Sequence, residues 1–174
     1  MLKLIRRNPS FMSAYKEYCQ EFWDNNILWF RPTNPQNIDA NWFERTADWY
    51  AKKEQGLVPG YAKGFHYWAV DDGRFIGEFQ LRPDLDEDLM TGIGSIGYSV
   101  RITEWGKGYG KGILKQGLDI ARDFGLDKVL LTINDDNIIS SHICEMNGGI
   151  LMDKITVENK DEGVHIMRRY WIYL

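Results

Sequence analysis

Four glycines at alternate positions, Gly106, Gly108, Gly110 and Gly112, separate an apolar run of strand character from an amphipathic run of helical period. Glycines this dense let the backbone turn sharply and bring its N–H groups close to an anion. The start of a helix adds unpaired donors and a partial positive charge. Lys107 and Lys111 add formal charge. The segment Trp105-Gly106-Lys107-Gly108-Tyr109-Gly110-Lys111 therefore reads as a phosphate or pyrophosphate cradle, with a plain tight corner as the alternative. Two nucleotide motifs fail. GxxxxGK(S/T) is excluded because Gly110-Lys111 is followed by Gly112 and preceded five residues earlier by Trp105. GxGxxG ends on Lys111 when counted from Gly106 and on Ile113 when counted from Gly108.

The elements around the turn follow from periodicity. Met1 to Arg7 reads as a short strand. Ser10 is the expected N-cap of a helix carrying Phe11, Tyr15, Tyr18, Cys19 and Phe22 on one face and ending near Asp24. After a loop from Arg31 to Pro35, Ile38, Trp42, Phe43, Trp49 and Tyr50 suggest a second helix or a broken pair. Gly56 to Gly64 is a connection. Phe65 to Val70 and Arg74 to Leu81 read as a hairpin around Asp71-Asp72-Gly73. An acidic loop, Asp84 to Asp88, leads to a strand from Ile93 to Val100. After the turn come a helix ending near Gly125, a buried strand from Val129 to Ile133, and a helix from Ile138 to Met146 stopped by Asn147-Gly148-Gly149. Ile150 to Val157 and Val164 to Tyr173 close the chain as strands around a turn from Asn159 to Gly163. The order suggests a mixed sheet with helices on both faces.

Composition narrows the function classes. The chain is 44% apolar and 14% aromatic, which excludes a disordered protein. A net charge of -4 argues against nucleic acid as the main partner, since such binding needs a concentrated basic face. The two cysteines, Cys19 and Cys144, and the three histidines, His66, His142 and His165, have no metal-ligand spacing, so no metal is expected. No apolar signal core opens the sequence, and no run approaches the roughly 20 apolar residues of a membrane span. A soluble cytoplasmic protein with no membrane partner is expected.

Gly108-Tyr109-Gly110 ahead of a helix fits (Q/R)xxGx(G/A), the acetyl-CoA motif of the GNAT family of N-acetyltransferases. The stretch from about Phe65 to Leu174 resembles this family, and the element order agrees. Asn137, with Ser140 three residues on, matches its NxxS/A signature. The tracts Ile96 to Arg101, Asn147-Gly148-Gly149 and Arg169 to Ile172 are similar to a poorly characterised bacterial branch of predicted acetyltransferases. The resemblance implies an α+β fold with a mixed, mostly antiparallel twisted sheet, helices on both faces and a splayed pair of central strands. It implies one domain over residues 1–174, with an acetyl-CoA-binding core over 65–174 and an acceptor side over 1–64. Two residues depart from the pattern. Trp105 stands where the family has Gln or Arg, and Cys144 stands where many members carry a Tyr that protonates the departing thiolate.

What the resemblance implies chemically is direct transfer from acetyl-CoA, as cosubstrate, to a primary amine of a small molecule or peptide in a ternary complex. Gly106 to Lys111 would hold the pyrophosphate, with Lys107 or Lys111 compensating for Trp105. The strand ending at Val100 would bond the pantetheine arm, and a backbone N–H near Ser99 or Val100 would face the thioester oxygen. Asn137, with Ser140, would meet the pantetheine or thiol end. Homodimers are common in the family.

An amine with a pKa of about 10.4 must lose a proton before attack. Glu78 is the first candidate base; Asp84, Asp86, Glu87 and Asp88 are alternatives, each otherwise a solvated carboxylate. Tyr98 and Tyr170 are the candidate acids, although a thiol with a pKa near 8.5 leaves tolerably without one. Cys144 is assigned to packing. Trp23, Trp29, Trp42 and Trp49 belong to the core or to an aromatic acceptor wall. His66 and His142 are structural or exposed, and Arg168-Arg169 is a strand edge or solvated pair. Two rival functions remain: a non-catalytic acyl-CoA-binding module, and a nucleotide-binding protein stabilised by ATP or NAD.

Overall fold

The structure, a computed structural model, describes residues 1–27, 32–159 and 163–174, without the side chains of Glu87, Asp88 and Asn159. Trp29, Arg31 and residues 160–162 of the expected last turn lie outside the described residues. In chain order the elements are β1 (Lys3–Arg6), α1 (Met12–Asp24), α2 (Trp42–Glu54), β2 (Phe65–Asp71), β3 (Arg74–Leu81), α3 (Glu87–Thr91), β4 (Ile96–Val100), α4 (Tyr109–Asp123), β5 (Lys128–Asn134), α5 (Ile138–Met146), β6 (Ile150–Asn159) and β7 (Gly163–Tyr173).

Local chemistry explains most of these elements. The helical stripe Tyr15, Tyr18, Cys19 and Phe22 is buried along α1. The expected cap at Ser10 is corrected: the Asn8 side chain accepts from the Ser10 N–H and opens a 3-10 turn from Pro9, ahead of α1. Proline at the first helical position loses no bond there and favours that start. In α2, a single helix, Glu44 in the first turn and Lys52 and Lys53 in the last suit the helix dipole. Asp72 and Gly73 both take positive φ, 47° and 76°, as a two-residue hairpin turn requires. The acidic stretch is not all loop. Asp86 accepts from the Leu89 N–H at 2.8 Å, and the short α3 follows, with Leu89 buried.

The strands pair as two antiparallel sheets, β1-β2-β3-β4 and β5-β7-β6. They meet where the Ser95 N–H donates to the Leu130 carbonyl (2.7 Å) and the Leu130 N–H donates to Ser95 Oγ (3.1 Å). No ladder continues between β4 and β5, which form the expected splayed pair. β7 lies at the centre of its sheet, so Arg168-Arg169 is not a strand edge. Each of the two is ion-paired instead, Arg168 to Asp135 at 2.6 Å and Arg169 to Asp153 at 2.5 Å.

A bulge in β3 decides which residues face which layer. Ala69 is opposite Gly77 and Val70 opposite Phe75, leaving Ile76 as the extra residue. Side-chain alternation therefore reverses at Ile76. Phe75 joins Tyr15, Tyr18, Trp42 and Trp68 in an aromatic core under α1 and α2. Phe79 and Leu81 join the core under α4 and α5, with Ile113, Leu114, Leu118 and Leu131. Glu78 consequently points to the α1 side, below Tyr18. No described helix is long and apolar enough to cross a membrane.

Candidate active site

Beyond the Ser95–Leu130 contact, the diverging edges of β4 and β5 enclose a cleft of about 260 Å³. Its walls include Glu78, Gln80 and Arg82 on one side and Tyr98, Asn137 and Ser140 on the other.

The edge of β4 offers backbone donors to this cleft. In an antiparallel ladder only alternate residues bond the neighbouring strand. The Arg101 N–H donates to Ile76 at 2.8 Å, whereas the Val100 carbonyl turns away from β3 and accepts from Trp105 Nε1 at 2.7 Å. Ser99 therefore spends its N–H on β3, and Tyr98 and Val100 direct theirs to the open edge.

Glu78 is buried, and removal from water raises its carboxyl to about 7 against the pull of Tyr18 and Arg7. Tyr18 Oη donates to Glu78 Oε2 at 3.1 Å and lies 2.6 Å from Ser99 Oγ. With Glu78 ionised, the single Tyr18 proton goes to the carboxylate, so Ser99 donates to Tyr18. The result is a three-group relay. Glu21 on α1 grips Arg101 and Thr103, tying that helix to the end of β4 and holding Tyr18 in place.

The glycine turn divides its labour. Gly106 (φ 76°) and Gly108 (φ 81°) adopt left-handed backbone, and a Cβ on either would meet nothing within 4 Å. Gly108 caps α4 without a side chain, leaving the N–H groups of the first turn as donors. Tyr109 is pinned to the β2–β3 turn, donating to Asp71 (2.8 Å) and accepting from Arg74 (3.0 Å). Gly110 packs instead: a Cβ there would sit 2.9 Å from Ile143 Cδ1. Lys107 is tied to Glu104 (3.1 Å) and the Thr103 carbonyl. Lys111 is exposed and has no ion pair among the described residues. Trp105 folds back onto Val100, with its ring edge-on to Phe22. Backbone N–H groups and Lys111 thus fit a pyrophosphate, and Trp105 serves the strand edge.

Asn137 is the N-cap of α5, its Oδ1 accepting from the Ser140 N–H at 3.1 Å. Ser140 Oγ is 3.2 Å from the Tyr98 hydroxyl, which burial pushes up to about 12. Tyr170 is buried elsewhere, its hydroxyl donating to Glu145 at 3.0 Å, and it is not part of the cleft wall. Cys144 is fully buried against Gly149, its thiol raised to about 12 by desolvation. Asp84 is exposed and pairs with Lys63, and Asp86 caps α3. The side chains of Glu87 and Asp88 lie outside the described residues. Trp23, Trp42 and Trp49 do not line the cleft. Trp42 stacks on Tyr15 at 5.3 Å within the core. His142 is exposed; His66 is buried, and desolvation lowers it to about 3, so it stays neutral.

Tyr18, Gln80 and Arg82 escape the sequence reading. Tyr18 hides in an apolar helical stripe. The other two had a signal: Glu78, Gln80 and Arg82 are polar residues at period two along an apolar stretch, the last of them just past the end of the strand.

The sequence model of the acetyltransferase (GNAT) domain matches residues 8–150, most of the chain. No curated protein matches the sequence. Among solved structures, RimJ of Mycobacterium smegmatis in complex with CoA-disulfide shares 15% identity, with a TM-score of 0.77 over 99% of this chain and 81% of that one. RimL, a ribosomal alpha-N-protein acetyltransferase in complex with coenzyme A, shares 16% at TM-score 0.72, over 99% and 94%. The microcin self-immunity acetyltransferase MccE, in complex with acetyl-CoA and AMP, shares 14% at TM-score 0.73, over 99% and 92%. At such identities the likeness concerns the fold. Taken with the family match over most of its length, it places this chain in the GNAT family: the protein is an acyltransferase whose cosubstrate is acetyl-CoA.

Proposed function

We propose that the protein transfers the acetyl group directly to a primary amine of a small molecule or peptide in a ternary complex, with Glu78 as general base. The observation that carries this is the buried Glu78 carboxyl in the cleft wall, held near neutrality. An amine arrives as its ammonium form at pH 7 and must lose a proton to attack. A carboxyl near 7 is well matched to that task, and the Tyr18–Ser99 relay orients it.

Acetyl-CoA, when bound, supplies an activated thioester. The outward N–H of Val100, in place of that of Ser99, is positioned on the open edge to stabilise negative charge developing on a carbonyl oxygen. Tyr98 stays protonated at neutral pH and lines the cleft, so it is the group to protonate a departing thiolate. Asn137 spends its oxygen on the α5 cap and keeps its amide N–H groups as donors. Lys111 and the first-turn N–H groups of α4 serve the pyrophosphate.

The test is release of the CoA thiol from acetyl-CoA with polyamines, amino acids and peptides. Turnover is expected with at least one acceptor class. Glu78→Gln should lower kcat by about 100-fold or more, the scale of general-base catalysis, while retaining acetyl-CoA affinity. Tight acetyl-CoA binding with no turnover on any acceptor would establish a binding module instead.

A further inference from the structure

Arg82 is among the most deeply buried charged groups, with 8% of its surface exposed, and it forms part of the cleft wall. Burial drives its guanidinium down to about 10. Its hydrogen bonds all go to neutral oxygens: Nη1 to the carbonyls of Gly94 (3.2 Å) and Ile93 (3.4 Å), and Nη2 to Gln80 Oε1 (3.1 Å). Among the described residues, no carboxylate lies within ion-pair reach. The arginines that lie within the strands, Arg6, Arg74, Arg168 and Arg169, each have one. Lys53, at the end of α2, deepens the imbalance. It too is 8% exposed, with its ammonium over the rings of Trp49 (5.1 Å) and Tyr61 (5.6 Å) and no carboxylate partner among the described residues. A buried cation without a counter-ion is costly, and one that lines a cleft is a candidate to meet a charge that arrives with a ligand.

The position of Arg82 says which ligand. It follows Glu78 and Gln80 on one face of β3, the face turned to α1 and α2. The CoA cradle lies beyond the other end of β4, after Val100. The guanidinium folds back to the level of the Gln80–Gly97 pair, where a Cβ on Gly97 would come within 3.4 Å of Nη2. That level is two residues, about 7 Å, from the Glu78–Ser99 pair. We propose that Arg82 binds an anionic group on the acceptor, which is therefore a small amine carrying a carboxylate or a phosphate monoester across a short spacer. The proposal rests on the acetyl-transfer reading of the cleft and names its acceptor class. The amine meets Glu78 and the anion meets Arg82, so the two ends of the molecule are read by a residue of β3 and by the residue just past its end, four positions on.

The experiment compares matched amines with the wild-type protein: β-alanine against β-alaninamide, 4-aminobutanoate against its amide, and aminoethyl phosphate against 2-methoxyethylamine. The anionic member of the preferred pair should have a kcat/KM at least 10-fold higher, and the pair that shows it separates carboxylate from phosphate. Arg82→Gln should raise KM for that member by about 10- to 100-fold, the scale of a charge-assisted hydrogen bond, with kcat and the neutral partner's KM little changed. Arg82→Lys should recover part of the preference. A purely structural arginine would shift both members equally. Wild-type protein that uses neutral amines as well as anionic ones overturns the proposal and leaves acetyl transfer standing. If no amine turns over, the acetyl-transfer reading fails. Calorimetry with N-acetyl-β-alanine and N-acetylaminoethyl phosphate in the presence of CoA then decides the anion site. Binding lost in Arg82→Gln supports it, and absence of binding to wild type overturns it.

Discussion

At the scale of one residue, burial makes the Glu78 carboxylate costly, and the same burial is what suits it to the proposed role of base. Its carboxyl titrates near 7 in the fold, against 4.5 for an exposed glutamate. The folded protein therefore holds this proton more tightly than the unfolded chain does. Stability linked to Glu78 is complete below about pH 4.5, falls as the pH rises to about 7, and is level above that. The difference corresponds to roughly 3 kcal/mol. Glu78→Gln has no such proton. Its stability relative to wild type should improve between pH 4.5 and 8 by about that amount, read from urea midpoints at the two pH values. Wild-type kcat should rise through pH 7 as the base loses its proton, and the residual activity of the variant should lack that rise. Parallel stability curves, or an unchanged pH profile, would mean that Glu78 does not titrate near 7. An acid placed among Phe75, Ile76, Phe79 and Leu81 is visible in the sequence as an anomaly, so this candidate was legible. Tyr18 was not, because an aromatic residue at helical spacing looks the same whether its hydroxyl meets a carboxylate or nothing.

At the scale of the element, the turn and α4 show how far a glycine count carries. The density of glycines announced a close backbone approach, but not which glycine approaches what. Gly106 and Gly108 are there for left-handed backbone facing open space, whereas Gly117 lets the ring of Phe79 lie on the helix, a Cβ coming 2.1 Å from its Cε2. The two kinds should separate experimentally. Gly108→Val places a β-branched residue at φ 81°, a strain of about 1–3 kcal/mol, and distorts the helix start. Acetyl-CoA affinity should fall by at least 10-fold while the protein stays folded. Gly117→Ala overpacks the core, should cost about 1–3 kcal/mol, and should leave acetyl-CoA affinity near wild type. Calorimetric titration and denaturation of both variants give the comparison. Equal affinity loss in the two would assign the effect to general disruption and remove the cradle. The short α3 was missed because Asp and Glu runs read as solvated loop. Asp86 supplies a cap and Leu89 an anchor, and together these suffice for one helical turn.

At the scale of the molecule, the site exists because two sheets fail to join. The order of elements suggested a splayed pair but could not place the point of parting, which depends on a contact between residues 35 apart in sequence. Ser95 makes that contact, and its side chain satisfies the N–H of the buried Leu130. The cradle and the β4 edge belong to the first sheet and its following turn, while Asn137 and Ser140 follow β5 in the second. A ligand spanning both sets bridges the two sheets in the folded protein and finds no such site in the unfolded chain. Acetyl-CoA at 100 times its Kd should therefore stabilise the fold by about 2.7 kcal/mol, and ATP or NAD at the same concentration should not. Stabilisation by the nucleotides but not by acetyl-CoA would reverse the assignment of the cradle. Ser95→Ala extends the test to the junction itself. Leaving the Leu130 N–H without its acceptor should cost about 1–3 kcal/mol in the free protein. Because the cradle and the outward N–H groups of Tyr98 and Val100 do not use Ser95, acetyl-CoA should still raise the melting midpoint of the variant. Loss of that shift would show that the junction sets the width of the cleft as well as its closed end.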